Sequence, residues 1–283
     1  MGADLQRDPL RRLPVALGAS DHAQAVTPST THPFLELRGI RKRFGGVTAL
    51  RGVHLDVNRG EVVALVGDNG AGKSTLIKTI AGVMRPDSGE FYVDGERALL
   101  SSPHAATELG IATVYQDLAL CENLDVVANL FLGGELGRRP LFGPLRRLRE
   151  PEMERQARET LAELGANVPN LRRPVAGLSG GQRQAVAVGR ALLWGSKLVI
   201  LDEPTAALGV KQTGQVLELI RRLADRGQAV LFISHSLPDV FAVADRIAVL
   251  RLGSNAGTFA VSETSASEIV GAMTGGATLA GAA

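Results

Sequence analysis

Residues 67–74 read Gly-Asp-Asn-Gly-Ala-Gly-Lys-Ser, a spacing suited to holding a chain of phosphates. The glycines let successive backbone N–H groups turn toward one anion, and a helix starting at the end of the loop adds its positive end. Lys73 would meet the β- and γ-phosphates and the Ser74 hydroxyl would ligate Mg²⁺, so that Gly67, Asp68, Asn69, Gly70, Ala71, Gly72, Lys73, Ser74 and the adjoining Thr75 form the candidate nucleotide cradle. Further along, Leu198-Val199-Ile200-Leu201 ends in Asp202-Glu203. An apolar strand that delivers two carboxylates can divide the labour of phosphoryl transfer, with Asp202 holding the metal shell and Glu203 polarising the attacking water. Leu178-Ser179-Gly180-Gly181-Gln182 reads as an N-capped helix start, and its exposed amides make a second anion site. Gln116 and His235 each follow a predicted strand and complete the set.

These residues need elements to carry them. Strand-like and helix-like segments alternate along the chain, the pattern of an α/β phosphate-loop core with a largely parallel sheet. Phe34–Leu37, Val53–Val57 and Val62–Val66 lie close together and predict an antiparallel β subdomain at the entrance. Helices are expected at Gly72–Val83, Glu152–Leu164, Ser179–Trp194 and Gln212–Arg226, with strands at Ile111–Tyr115, Leu198–Asp202, Ala229–Ser234 and Arg246–Leu250. Met153, Ala157, Leu161 and Leu164 fall on one helix face. Residues of about 117–178 have little strand signal and read as a helical subdomain. Residues 1–33, with four prolines and several Ser and Thr, read as a flexible tail, as do residues 254–283 apart from one short helix near Ser267–Met273.

The phosphate loop, Gln116, the Leu-Ser-Gly-Gly-Gln run at 178–182, Asp202-Glu203 and His235 occur in that order, and over residues 34–253 the chain resembles an ATP-binding-cassette ATPase. The resemblance implies a homodimer of cassettes. Each of two ATP molecules would lie between the phosphate loop of one subunit and Ser179, Gly180, Gly181 and Gln182 of the other. It also implies that Gln116 links the metal site to a membrane partner, that His235 contacts the γ-phosphate and that Phe44 stacks on adenine. Tyr115-Gln116-Asp117-Leu118, Val126–Gly133 and Pro204–Val210 look like the ATPases of ribose- and fructose-type monosaccharide importers. The implied partners are the transmembrane subunits of a permease and, through them, an extracytoplasmic sugar-binding protein. Gly209 stands where the family commonly has Asp, which removes a carboxylate expected to face the opposite subunit.

Composition narrows the field. The chain has 283 residues, with 31 Lys and Arg against 29 Asp and Glu, a net charge of +2. That balance supplies no electrostatic drive toward nucleic acid. The single cysteine, Cys121, allows no internal disulfide and favours a reducing compartment. No apolar run approaches the length needed to span a bilayer. A cytoplasmic subunit, peripheral on the inner face of the cell membrane, is the expectation. An exporter subunit or a non-transport relative active in DNA repair or translation is the alternative.

Overall fold

The computed structural model describes residues 32–138 and 147–276. In chain order they form β1 (Leu35–Phe44), β2 (Val47–Val57), β3 (Val62–Val66), α1 (Lys73–Ile80), β4 (Ser88–Val93), β5 (Glu96–Ala98), α2 (Pro103–Glu108) and β6 (Ile111–Val114). Then follow α3 (Val126–Phe131), β7 (Gly137–Arg138), β8 (Arg147–Leu148), α4 (Glu150–Glu163), α5 (Gly180–Leu193) and β9 (Leu198–Asp202). The chain continues through α6 (Val210–Asp225), β10 (Ala229–Ile233), α7 (Leu237–Val243), β11 (Arg246–Arg251), β12 (Ser254–Ala260) and α8 (Ala266–Thr274).

The central sheet has the order β12-β11-β3-β10-β9-β6. Its pairs are parallel except for β11 with β12. All five residues of β3 and of β10 are buried, as befits strands covered on both faces. That burial corrects one expectation: Val62–Val66 belongs to the parallel sheet. The antiparallel sheet is β2-β1-β4-β5, in which β1 alternates buried and exposed positions over its first residues.

Two apolar layers sandwich the central sheet. Leu35, Leu37 and Val53 of the antiparallel sheet meet Leu65, Leu231 and Ile200 together with Leu76, Ile77 and Ile80 of α1. On the opposite face, Val199, Leu201 and Phe232 pack against Val188 of α5, Leu219, Ile220 and Leu223 of α6, Val240 of α7 and Ile269 of α8. A third cluster joins Val126, Val127, Leu130 and Phe131 to Met153, Ala157 and Leu161 and to Ala185 and Val186. The α4 face read from spacing is therefore buried. Asn129 locks the start of this helical region, its amide donating to Cys121, Leu124 and Asp125 carbonyls and its Oδ1 accepting from Cys121 N at 2.7 Å.

The expected tail from residue 254 is folded through Gly276 among the described residues. The strand β12 was missed because it is short of large apolar residues, and its place comes from its partners. It pairs with β11 along Arg246–Arg251, and the Asn255 amide bonds both the N–H and the carbonyl of His54 at 2.8 and 2.7 Å. Arg246 adds a second tie, pairing with Asp56 on β2 and with Glu61. Those two carboxylates hold its guanidinium well above the usual range against the opposing effect of burial. Residues 1–31 of the other expected tail lie outside the described residues.

Candidate functional site

The strand β3 feeds directly into the loop at 67–72, and α1 begins at Lys73. Gly67, Gly70 and Gly72 have φ of 152°, 81° and 105°, conformations that side chains penalise. Two of the three are also closed to a Cβ. One built on Gly67 would lie 2.3 Å from Leu250 O, and one on Gly72 2.7 Å from Ala49 O. Gly70 meets nothing within 4 Å and leaves its backbone open to approach. The Lys73 ammonium folds over the loop, donating to the carbonyls of Gly67 and Asp68 at 2.6 and 3.1 Å. Ser74, one residue into α1, is exposed.

Parallel strands β9 and β10 end side by side, Asp202 opposite Ile233, and that register brings Glu203 to His235. The Glu203 Oε2 lies 2.7 Å from His235 Nδ1. The His235 side chain is 74% exposed and that of Glu203 19%, so the carboxylate is sheltered and the imidazole faces outward. Glu203 has φ 52°, outside the range most residues adopt, and its N–H is fixed to Ile233 O at 3.0 Å. Asp202 is pushed up from the carboxylate range, first by burial and then by Glu203, with Lys73 and Lys78 pulling it back. The phosphate loop and the acidic pair are thus close enough to act on each other electrostatically.

Gln116 is exposed just past β6. It shares a cavity of about 300 Å³ with Gly180 of α5, Glu203 and Leu208, so three separately predicted segments meet there. Ser179 caps α5 as expected. Its Oγ accepts from Gln182 N at 3.3 Å and its N–H donates to Gln182 Oε1 at 3.0 Å, the reciprocal capping box. The Ser179 hydroxyl proton is left free to donate elsewhere. At Gly180 a Cβ would lie 2.5 Å from Leu208 Cδ2, so a side chain there would have to push the Leu208 tip aside. Phe44, at the end of β1, is 46% exposed, with the Lys42 ammonium 5.7 Å from its ring centroid.

Oxygen donors at Ser74, Gln116 and Asp202 have the hardness that Mg²⁺ prefers. Among the described residues no cluster of three or more His, Cys, Asp or Glu forms a cage. That donor set fits an ion brought in on phosphate oxygens, since Mg²⁺ commonly uses one or two protein carboxylates beside substrate phosphates.

Two supports escaped the reading of the sequence. The turn between β11 and β12 grips the phosphate loop: Gly253 N donates to Ala71 O at 3.0 Å, and Gly253 O accepts from Arg51 N at 2.7 Å. Gly253 has φ 81°, and a Cβ there would lie 2.6 Å from Ala49 O. The second is a hydrogen bond from Thr205 Oγ1 to Asp239 Oδ2 at 2.8 Å. Only the Gly after Arg251-Leu252 hinted at the first, and nothing local hinted at the second.

A family model described as ABC transporter matches residues 50–206. The fructose import ATP-binding protein FrcA of Rhizobium meliloti is 48% identical over 86% of this chain and 94% of its own length. The xylose/arabinose import ATP-binding protein XylG of Sulfolobus acidocaldarius is 45% identical over 85% of this chain and 93% of its own. A ribose import ATP-binding protein of Escherichia coli O157:H7, RbsA 2, is 41% identical over 86% of this chain. This chain spans about half of that relative, 47%. Among solved structures, an ATP-binding cassette of an ABC transporter in its ADP conformation superposes with a TM-score of 0.73 at 28% identity. That match covers 86% of this chain and 96% of the cassette. A dimeric bacterial ABC transporter cassette gives 0.65 at 25% identity, covering 80% and 98%.

Proposed function

From the premise that this chain belongs to the ABC transporter family, we propose that it is the ATP-hydrolysing subunit of a monosaccharide importer. The observation that carries the reading is the Glu203–His235 pair, fixed at 2.7 Å beside a phosphate loop whose lysine bonds only backbone carbonyls. ATP binding follows from the family. The roles of the individual residues are our assignment.

The incoming phosphates take the Lys73 ammonium from the Gly67 and Asp68 carbonyls, and the amides at the start of α1 turn onto the same oxygens. Phe44 offers its exposed face to adenine. Ser74, Asp202 and Gln116 would hold Mg²⁺, which when bound supplies charge neutralisation at the phosphates. Asp202 is suited to this, because burial and Glu203 leave its negative charge under-compensated. Glu203 accepts the proton of the attacking water, and the outward-facing His235 reaches the γ-phosphate. The capping of α5 leaves the Ser179 hydroxyl and the amides of Gly180 and Gly181 free to receive the γ-phosphate bound to a second copy. That arrangement makes hydrolysis depend on dimer closure, which is supported by a dimeric cassette among the structural neighbours.

The names of the relatives support fructose-, xylose- or ribose-like cargo. The cargo itself would be selected by a permease and an extracytoplasmic sugar-binding protein. No helix among the described residues is long and apolar enough to cross a membrane; the names of the relatives support a subunit docked on the inner face of the cell membrane, and we assign the docking to Gln116 and the helical region. The test is phosphate release by the purified protein, alone and reconstituted with its permease in vesicles loaded with ATP, with the sugar-binding protein outside. Permease-stimulated turnover with uptake of a labelled monosaccharide is expected. Turnover indifferent to the permease, or coupled to efflux, would overturn the importer reading.

A further inference from the structure

The segment after the acidic pair, Glu203 to Ala207, is held in a costly conformation. Glu203 and Ala207 have φ of 52° and 59°, and non-glycine residues keep such angles only where their surroundings over-determine them. Inside the segment, turn bonds run from Ala206 N to Glu203 O and from Leu208 N to Thr205 O, at 3.1 and 3.3 Å. Three anchors then tie it to one neighbour, the stretch from the end of β10 into α7. The Glu203 N–H donates to Ile233 O at 3.0 Å, Glu203 Oε2 lies 2.7 Å from His235 Nδ1, and Thr205 Oγ1 donates to Asp239 Oδ2 at 2.8 Å.

The second anchor is the one most open to an incoming phosphate, since the His235 side chain is 74% exposed. If His235 turns to the γ-phosphate, its imidazole leaves Glu203, and the only side-chain tie remaining between the two stretches is Thr205 to Asp239. We infer that Thr205 and Asp239 form a latch that keeps Glu203 aimed while His235 is engaged elsewhere. Both are positioning residues, acting through Glu203. Thr205 is two residues from Glu203 and Asp239 four from His235, so the latch closes a small ring whose other side is the Glu203–His235 contact. The hydroxyl–carboxyl bond is part-buried, at an ordinary 2.8 Å, which suits a contact that has to survive motion of its exposed neighbour. The inference rests on the assignment of Glu203 as the base.

The test compares Thr205→Val and Asp239→Ala, which remove the bond, with Thr205→Ser and Asp239→Asn, which keep a donor and an acceptor. A base displaced by a fraction of an ångström to 1 Å loses about ten- to a hundredfold in rate. We therefore expect kcat to fall by about that factor in the Val and Ala variants and to stay close to wild type in the Ser and Asn variants. The KM for ATP and the affinity for a fluorescent ATP analogue should not move, because the phosphate loop is untouched. The double variant Thr205→Val/Asp239→Ala should be no slower than the worse single one.

Unchanged kcat in either bond-breaking variant, or losses that multiply in the double variant, would overturn the latch. So would equal impairment in the conservative variants. Loss of nucleotide affinity together with kcat would mark the contact as a folding element and likewise overturn the inference. Glu203→Gln run in parallel separates this from the reading beneath it. If that variant hydrolyses ATP at the wild-type rate, the base assignment fails; if it is inactive while Thr205→Val runs at full speed, only the latch fails.

Discussion

Gly209 is the position where the sequence loses an expected carboxylate, and the structure gives that loss a second meaning. Gly209 is the N-cap of α6, with φ −74° and ψ 162°, and it provides no side-chain cap. That backbone is open to any L-residue, and a Cβ would meet only Gln212 Oε1 at 3.9 Å. Gly209→Asp should therefore fold without strain and cap α6, its carboxylate accepting from an amide in the first turn. Capping adds a few tenths of a kcal/mol over Gly, and a negative charge at a helix N-terminus adds about 0.3–1 kcal/mol. Removing a glycine from the unfolded chain contributes about 0.4–1 kcal/mol more. The sum is about 1–2 kcal/mol, a rise in Tm of about 2–8 °C for a domain of this size.

Gly209→Asn separates this local effect from one between subunits. It caps the helix and restricts the unfolded chain, but it presents no charge to a second copy. Thermal melts of the nucleotide-free protein should rise for both variants, more for Asp. In turnover assays against ATP concentration, Asp alone should change the rate or its cooperativity, with ATP affinity unmoved. Destabilisation by both variants would refute the cap geometry. Equal kinetics for Asp, Asn and wild type would show that a carboxylate there has no target across the dimer.

Lys73→Ala should abolish ATP binding while the Tm of the nucleotide-free protein stays near wild type, since Lys73 bonds only its own loop; isothermal titration and a melt check both halves. Glu203→Gln should bind ATP but fall by about 10²–10⁴ in turnover and accumulate as an ATP-held dimer by light scattering, and Ser179→Arg added to it should return the monomer. Gly253→Ala should weaken ATP binding more than it lowers kcat, because its Cβ displaces the backbone that holds Ala71 O; unaltered affinity would remove Gly253 from the support of the loop. Asp202→Asn should raise stability at neutral pH and destroy activity. The Asp202 carboxyl titrates above its unfolded value, so the unfolded chain ionises first and stability falls as pH rises from that value toward the folded one, a loss the amide does not suffer. A pH series of urea melts that showed no flattening in this variant would refute it.

Gly67, Gln116, Glu203 and His235 are legible because each lies where a strand hands over to a loop. All follow short apolar runs, and an apolar run of that length ending in polar residues is readable without knowing its partners. The α4 face at Met153, Ala157, Leu161 and Leu164 was readable for the same reason. Where the reading failed, the decisive partner was remote in sequence. Val62–Val66 looked like a neighbour of β2, and only its pairing with β10 and β11 places it in the other sheet.

The failure at the C-terminal end bears on function. Ser254–Ala260 carries one large apolar residue, Phe259, so neither periodicity nor propensity marks it as a strand. What orders it is its ladder with β11 together with bonds to residues about 200 positions earlier, from the Asn255 amide to His54 and from Gly253 to Ala71 and Arg51. These bonds come to bear on the phosphate loop itself. The octapeptide at 67–74 specifies that a loop can bind phosphate, but its glycines also make it the most deformable backbone in the site. Gly67 is backed by Leu250 O and Gly72 by Ala49 O, while Gly253 fixes the carbonyl between them. The conformation of the motif is thus held by β2 and by the β11–β12 turn, elements that contain no part of the motif. A chain ending at residue 253 would keep every motif residue and lose β12 and the Asn255 clamp. Its affinity for ATP should fall although no residue that touches the nucleotide has changed.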